Sequence, residues 1–263
     1  MKKFIAVIAT LVVFASIASA EVIGTLSLND SNVQARDSVL ARVFDAGLDD
    51  GKLSMKFYDS LMLMQLALNK GEIGALAAPD FVGEYMLRTN PSFKLRGFML
   101  LKRPIAFAFG FLEEKSELRD RFSKAVEEME EEGKIGLLAR DYITGPSAQN
   151  PPEVKLENFD GAETITAAVT GDQPPLDYVG ADGEPAGFNT AILAEIGRRL
   201  HINIKTITVE TGARASALKS GRTDVVFWIE KFEGYDVQPD VPAGIIISTP
   251  YYGWNKSVLI GRK

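Results

Sequence analysis

Apolar and polar positions along this chain switch between a period of two or short continuous runs and a helical period, and each switch marks an element. Val22–Leu28 is a short apolar run that ends in the polar turn Asn29-Asp30-Ser31-Asn32. Bounded by turn residues, it predicts a buried strand. Val39, Leu40, Val43 and Phe44 follow at helical spacing. Leu53–Tyr58 predicts a second strand, and Ser60 caps a helix with Leu61, Met64 and Leu68 on one side and Gly71 as its stop. Met62 and Met64 predict core filling, the commoner use of methionine. A strand over Ile73–Ala78, a helix over Phe81–Arg88 and a strand over Phe93–Phe98 complete a βαβαβ unit. Leu100–Phe111 predicts an extended crossing, and Glu113–Glu132 a long helix with Leu118, Phe122, Val126 and Met129 inward and its charge run solvated. A short helix through Ile135, Leu138 and Tyr142 follows.

Gly145–Glu163 is polar, holds three prolines and has no period, so it predicts a linker. Beyond it, Ile165–Leu200 organises the rest of the chain. An apolar run breaks at Gly171-Asp172-Gln173-Pro174-Pro175 and turns on Asp182-Gly183. Asp-Gly predicts a tight hairpin with both turn residues at positive φ. A helix is then predicted from Asn189 as N-cap, with Ile192, Leu193, Ile196 and Leu200 on one face. Strand, loop, hairpin and helix in this order open a ligand cleft in an α/β sheet. A strand over Ile202–Val209, a short helix over Ala213–Ser220 and a strand over Thr223–Ile229 come next. The charged loop EKFEGYDVQPDVP separates them from Ile245–Ile247 and a final extended piece through Val258–Ile260.

The segment Leu68–Leu76 repeats in pattern at Leu218–Val226: helix end, glycine stop, buried strand. Each part also opens on an apolar strand, which predicts two similar α/β units with a cleft between them.

Composition narrows what the cleft can do. The chain has 263 residues, is 46% hydrophobic and 24% charged, and carries a formal charge of −6. That balance speaks against nucleic acid or anionic membrane as a partner. It has no cysteine and one histidine, His201. Disulfides, thiol catalysis and Cys/His zinc sites are thereby excluded, and no metal or other cofactor is expected. His201 sits at a predicted helix C-terminus, where a cation is favourable. Residues 1–20 combine Lys2-Lys3, an apolar run and Ala18-Ser19-Ala20, the pattern of a cleaved secretory signal peptide. With no cysteine to lipidate, a soluble periplasmic product is expected.

Several motifs resemble those of periplasmic solute-binding proteins of the amino-acid (family 3) type. They are the Pro174-Pro175 loop, Asp182-Gly183, Gly187-Phe188, Leu218-x-x-Gly221-x-x-Asp224 and Thr249-Pro250-Tyr251-Tyr252 in the C-terminal part. The N-terminal part adds Tyr58-Asp59-Ser60, Gly71 to Tyr85, Asn90-Pro91 and the helix pair ending Gly133-Lys134-Ile135…Tyr142. The resemblance implies an α/β, two-lobed fold of type II periplasmic binding protein kind in circularly permuted order. Residues 21–102 would form lobe 2, 103–144 the crossing strand and closing helices of lobe 1, 145–163 a linker between the old ends, and 164–263 the remainder of lobe 1. It further implies a monomer that holds a small solute, an amino acid or a related amine or carboxylate. The partner would be the membrane subunits of an ABC importer.

The family's usual clamp for an α-amino acid is an Arg in lobe one and an Asp in lobe two. No Arg follows Trp228-Ile229-Glu230, and Pro79 stands at the Asp position with Asp80 beside it. Strand-end logic names Ser31, Asn32, Asp80, Asp172, Gln173, Tyr178, Trp228 and Glu230 as the ligand-binding set. Trp228 with nearby carboxylates suits an amine, and core packing is the alternative use of that ring. Arg214, in Thr211-Gly212-Ala213-Arg214, is expected as a surface helix charge, with replacement of the missing clamp Arg as the alternative. Two other uses of the fold stay open: a dehydratase using Glu230 and Asp80 as acid and base, or a receptor-like pair binding a protein.

Overall fold

The computed structural model describes residues 21–28, 53–234, 238 and 240–263; the side chain of Trp228 is outside the described set. The proposed signal sequence, the turn with Ser31 and Asn32, and the helix expected through Val39 and Phe44 also lie outside it.

The fold is α/β. Strand β1 (Glu21–Leu26) pairs in parallel with β2 (Leu53–Tyr58) and β3 (Ala75–Pro79). Helix α1 (Leu61–Lys70) connects β2 to β3, and α2 (Asp80–Thr89) leads into β4 (Phe93–Leu112). The strand and crossing expected separately over 93–111 are this one long strand. Helices α3 (Ser116–Glu131) and α4 (Lys134–Ala139) follow it. Strand β5 (Thr164–Val169) starts a second parallel unit. A small antiparallel sheet of β6 (Asp172–Gln173), β7 (Asp177–Val179) and β8 (Pro185–Ala186) precedes α5 (Phe188–Leu200). Then come β9 (Asn203–Thr208), α6 (Arg214–Lys219), β10 (Val225–Phe232), β11 (Ile245–Ile247) and β12 (Tyr252–Arg262).

Among the described residues, nine strands hydrogen-bond into one sheet in the order β2-β1-β3-β12-β4-β10-β5-β9, with β11 also on β4. The parallel triplets β2-β1-β3 and β9-β5-β10 stand at opposite ends. The antiparallel pair β12 and β4 joins them, paired from Tyr252↔Phe107 to Arg262↔Phe93 with register shifts between Trp254 and Lys256 and between Leu259 and Ile260. The repeated segment takes the same conformation in both halves. Gly71 N–H donates to Leu68 O and Glu72 N–H to Ala67 O; Gly221 N–H donates to Leu218 O and Arg222 N–H to Ala217 O. Both glycines are left-handed, at φ 77° and 69°.

The largest core cluster runs through both halves. Phe107, Phe109 and Phe111 project from one face of β4 and are fully buried. Phe122 of α3 meets Phe109 and Phe111 edge-on at 5.2 and 5.1 Å. Burying each such ring contributes about 1.5–3 kcal/mol, so this aromatic row fixes where the long strand lies. Leu118, Phe122, Val126 and Met129 of α3 are buried as their spacing predicts.

Local departures have local causes. Met62 is 69% exposed while Met64 is fully buried, because one helix face cannot hold both positions. Asn189 is not the cap of α5: Gly187 holds that place, and Asn189 is buried in the first turn with its carboxamide oxygen accepting from the Tyr251 hydroxyl at 3.0 Å. The Asp182-Gly183 turn is wider than a two-residue hairpin. Gly183 N–H donates to Gly180 O, and within that turn only Gly183 has positive φ.

Candidate functional site

A cleft open to solvent lies where the two halves face each other. The first half contributes Leu26, Phe57, Leu61, Met64 and Val82; the second contributes Gln173, Thr211, Arg214, Glu230 and Phe232. Ile105 of β4 and Trp254 of β12 line it between them. The sheet register explains this wall. Ile105 sits opposite both Phe232 and Trp254, and Glu230 is two residues along β10 from Phe232, hence on the same face.

Arg214 is 2% exposed, buried where a surface charge was expected. Its Nε donates to Thr211 O at 2.8 Å, Nη1 to Phe227 O at 3.2 Å, and Nη2 to the Asp240 carboxylate at 3.2 Å. Asp240, also buried, accepts in addition from Glu230 N–H at 2.6 Å. Burial of such a pair is tolerated because hydrogen bonds satisfy both partners. The pair locks the end of α6 against β10 and the charged loop, and so positions Glu230. The Glu230 carboxyl itself receives no hydrogen bond among the described residues. Burial first, then the negative Asp240, hold it well above the usual carboxylate range, with Arg214 opposing.

Gln173 is 1% exposed at the cleft wall and its Nε2 donates to Thr211 Oγ1 at 3.0 Å. Thr211 in turn donates its N–H to Asp59 O in the opposite half at 3.0 Å. Asp172 makes a second link. Its carboxylate accepts from Leu61 N–H at 2.8 Å and Met62 N–H at 3.3 Å, at the start of α1. Burial raises its pKa and these two backbone donors oppose the rise. Two loops of the second half are thus tied to one helix start of the first.

Gln173 and Glu230 are therefore the two expected residues that the structure brings into the cleft. Asp172 stands beside it as a strut between the halves. Asp80 begins α2, accepts from Phe81 N–H at 2.9 Å and faces Lys256 at 3.7 Å, and does not line the cleft. Tyr178 lies on β7, in the small sheet, and is also absent from the lining. Ser31, Asn32 and the ring of Trp228 are outside the described set. Sequence reasoning missed Thr211, Asp240 and Trp254. No local signal distinguishes them, since each acquires its role from a strand or loop distant in the chain. Among the described residues, no group of acids and histidine gathers as a metal site, and no helix is long and apolar enough to cross a membrane.

Residues 165–261 match the family of bacterial extracellular solute-binding proteins, family 3, as the motifs of this part imply. Comparison with curated protein sequences gave no match. Solved structures to which the chain shows some similarity include a ligand-binding component of an ABC-type import system from Staphylococcus aureus with zinc bound. It is 10% identical, with a TM-score of 0.46 over 93% of this chain and 66% of that one. The methionine-binding protein MetQ is 13% identical at a TM-score of 0.40, covering 92% of this chain and 83% of that chain. The periplasmic aliphatic sulphonate-binding protein SsuA from Escherichia coli is 12% identical at 0.41, covering 94% and 66%.

Proposed function

We propose that this chain is a solute-binding protein that captures a small organic molecule between its two halves and presents the closed form to an ABC importer. The observation that carries the reading is the cleft itself. Both halves line it, and in the half that matches the solute-binding family it holds a carboxyl, Glu230, that has no hydrogen-bond partner among the described residues. Ligand in that cleft contacts both halves at once, so it favours the closed arrangement over the open one. The links from Asp172 and Thr211 to residues 59–62 are contacts of the kind that a closed arrangement makes.

Permuted order is part of the same proposal. The family match begins at residue 165, just after the polar stretch 145–163, and the parallel triplet β2-β1-β3 precedes it in the chain. Export through cleavage after Ala20, without lipidation, would place the mature protein in a periplasm. Binding without turnover is favoured over dehydration because Asp80, turned to Lys256, does not share the cleft with Glu230.

The test is thermal unfolding of the mature chain from Glu21 against amino acids, amines and small carboxylates. A ligand that binds only the folded state raises the midpoint with its concentration. A concentration-dependent rise with one chemical class, and no new product by mass spectrometry, supports binding. Conversion of the added compound would replace it with the enzyme reading.

A further inference from the structure

Among the described residues, two places at the cleft where a ligand carboxylate would seat, the Arg214 guanidinium and the start of α1, are filled by carboxylates of the chain itself. Among the described residues that line the cleft, Arg214 is the one cation. A guanidinium recognises a carboxylate by a two-pronged hydrogen bond, but this one is committed to Thr211 O, Phe227 O and Asp240. The other electropositive feature is the start of α1, where Leu61 meets the cleft. Its first backbone N–H groups, the groups that would bind an anion there, donate to Asp172.

What remains for a ligand is opposite in sign. Glu230 is the one acid lining the cleft among the described residues, and its carboxyl lacks a hydrogen-bond donor. Arg214 is already engaged with Asp240, so among the described lining residues no other cation is left for an ionised Glu230. Much of the wall around it is apolar, with Leu26, Phe57, Met64 and Phe232, and its uncharged polar groups include Gln173, Thr211 and the buried indole N–H of Trp254. A carboxylate in such a setting is costly until a partner supplies charge and donors. An ammonium supplies both, while its apolar body occupies the space toward Trp254, about 10 Å away across two interstrand spacings.

From this arrangement we infer that the cleft takes an organic monocation, a primary amine on an apolar body, and discriminates against molecules that also carry a carboxylate. The inference rests on the solute-binding reading and narrows it, because an α-amino acid has a carboxylate for which the described lining offers no uncommitted cation.

The experiment compares three probes of one carbon skeleton on the mature protein: phenethylamine, phenylalanine and 3-phenylpropionate. Titration calorimetry and thermal midpoints are recorded with each. Phenethylamine should bind and raise the midpoint; phenylalanine should bind at least about ten-fold more weakly, because its carboxylate is desolvated without a partner; phenylpropionate should give no response. Glu230→Gln, with folding verified by circular dichroism, should lose the phenethylamine response. The proposal is overturned if phenylalanine or phenylpropionate binds as well as the amine, if Glu230→Gln retains amine binding, or if phenethylamine fails to bind. In the last case the wider panel of amino acids, amines and carboxylates separates the two levels. A response to another class leaves solute binding standing, and silence across the panel removes both.

Discussion

Glu230 holds a carboxyl at the cleft wall at a cost to the folded protein. Its pKa is raised above the ordinary 4.5 by burial, then by Asp240. A raised folded-state pKa gives stability that is complete below the unfolded value and is lost as pH rises through the folded one. Glu230→Gln lacks that loss. Its thermal midpoint should therefore exceed that of the parent at about pH 9, with the gap closing toward about pH 5. Midpoints measured across that range decide it, and a gap independent of pH would refute the assignment. Arg214 works the other way. Arg214→Leu takes the guanidinium away from the buried Asp240 carboxylate, and urea unfolding should show a loss of about 3–5 kcal/mol. Adding Asp240→Asn to it should recover part of that loss, since the remaining buried group is then neutral. Neither residue's burial was legible in the sequence, where Arg214 reads as one more charge on a short polar helix.

The repeated helix-glycine-strand element shows the reverse. Gly71 and Gly221 were recognisable as stops because each follows an apolar-periodic helix and precedes a buried strand. The structure gives both the same pair of backbone hydrogen bonds. Gly71→Ala and Gly221→Ala should each cost about 1–2 kcal/mol for forcing an L-residue into the left-handed region. A Cβ at Gly221 would have no atom within 4 Å, so its cost isolates the backbone contribution. A Gly221→Ala protein as stable as the parent in urea would show that the turn relaxes instead. Ser60 was equally legible and does cap α1, its Oγ accepting from Leu63 N–H at 3.2 Å. Asn189 failed as a cap because the hairpin before it delivers the chain through Gly187, at φ 103°, beside Leu176 O.

At the scale of the molecule, the two halves are coupled by the β4–β12 pair and, at the cleft, by Asp172 on α1 and Thr211 on Asp59. Asp172→Ala removes one of these links and a helix cap together. A stability loss of about 1 kcal/mol is expected from the cap alone. If the proposed opening and closing of the halves holds, small-angle scattering should also show a larger radius of gyration without ligand, reversed by a binding amine, because the variant lacks a contact that favours the closed arrangement. An unchanged radius would mean that the sheet alone holds the halves together.

Apolar period, turn residues and glycine stops are local, and from them the strands, the helices, the polar stretch 145–163 and the twofold repeat emerge with little error. Local pattern suffices there because an element's existence depends on which of its own positions can be buried together. The identity of the cleft did not emerge in the same way. Gln173 and Glu230 were found by position at strand ends, but Asp80 and Tyr178 stand at comparable positions and lie outside it. What separates them is register: which residue of β4 faces which residue of β10 and β12, and which loop reaches the start of α1. Those pairings join residues as distant in the chain as Phe93 and Arg262. Only the folded chain decides which charges cancel, and therefore which one is left for a ligand.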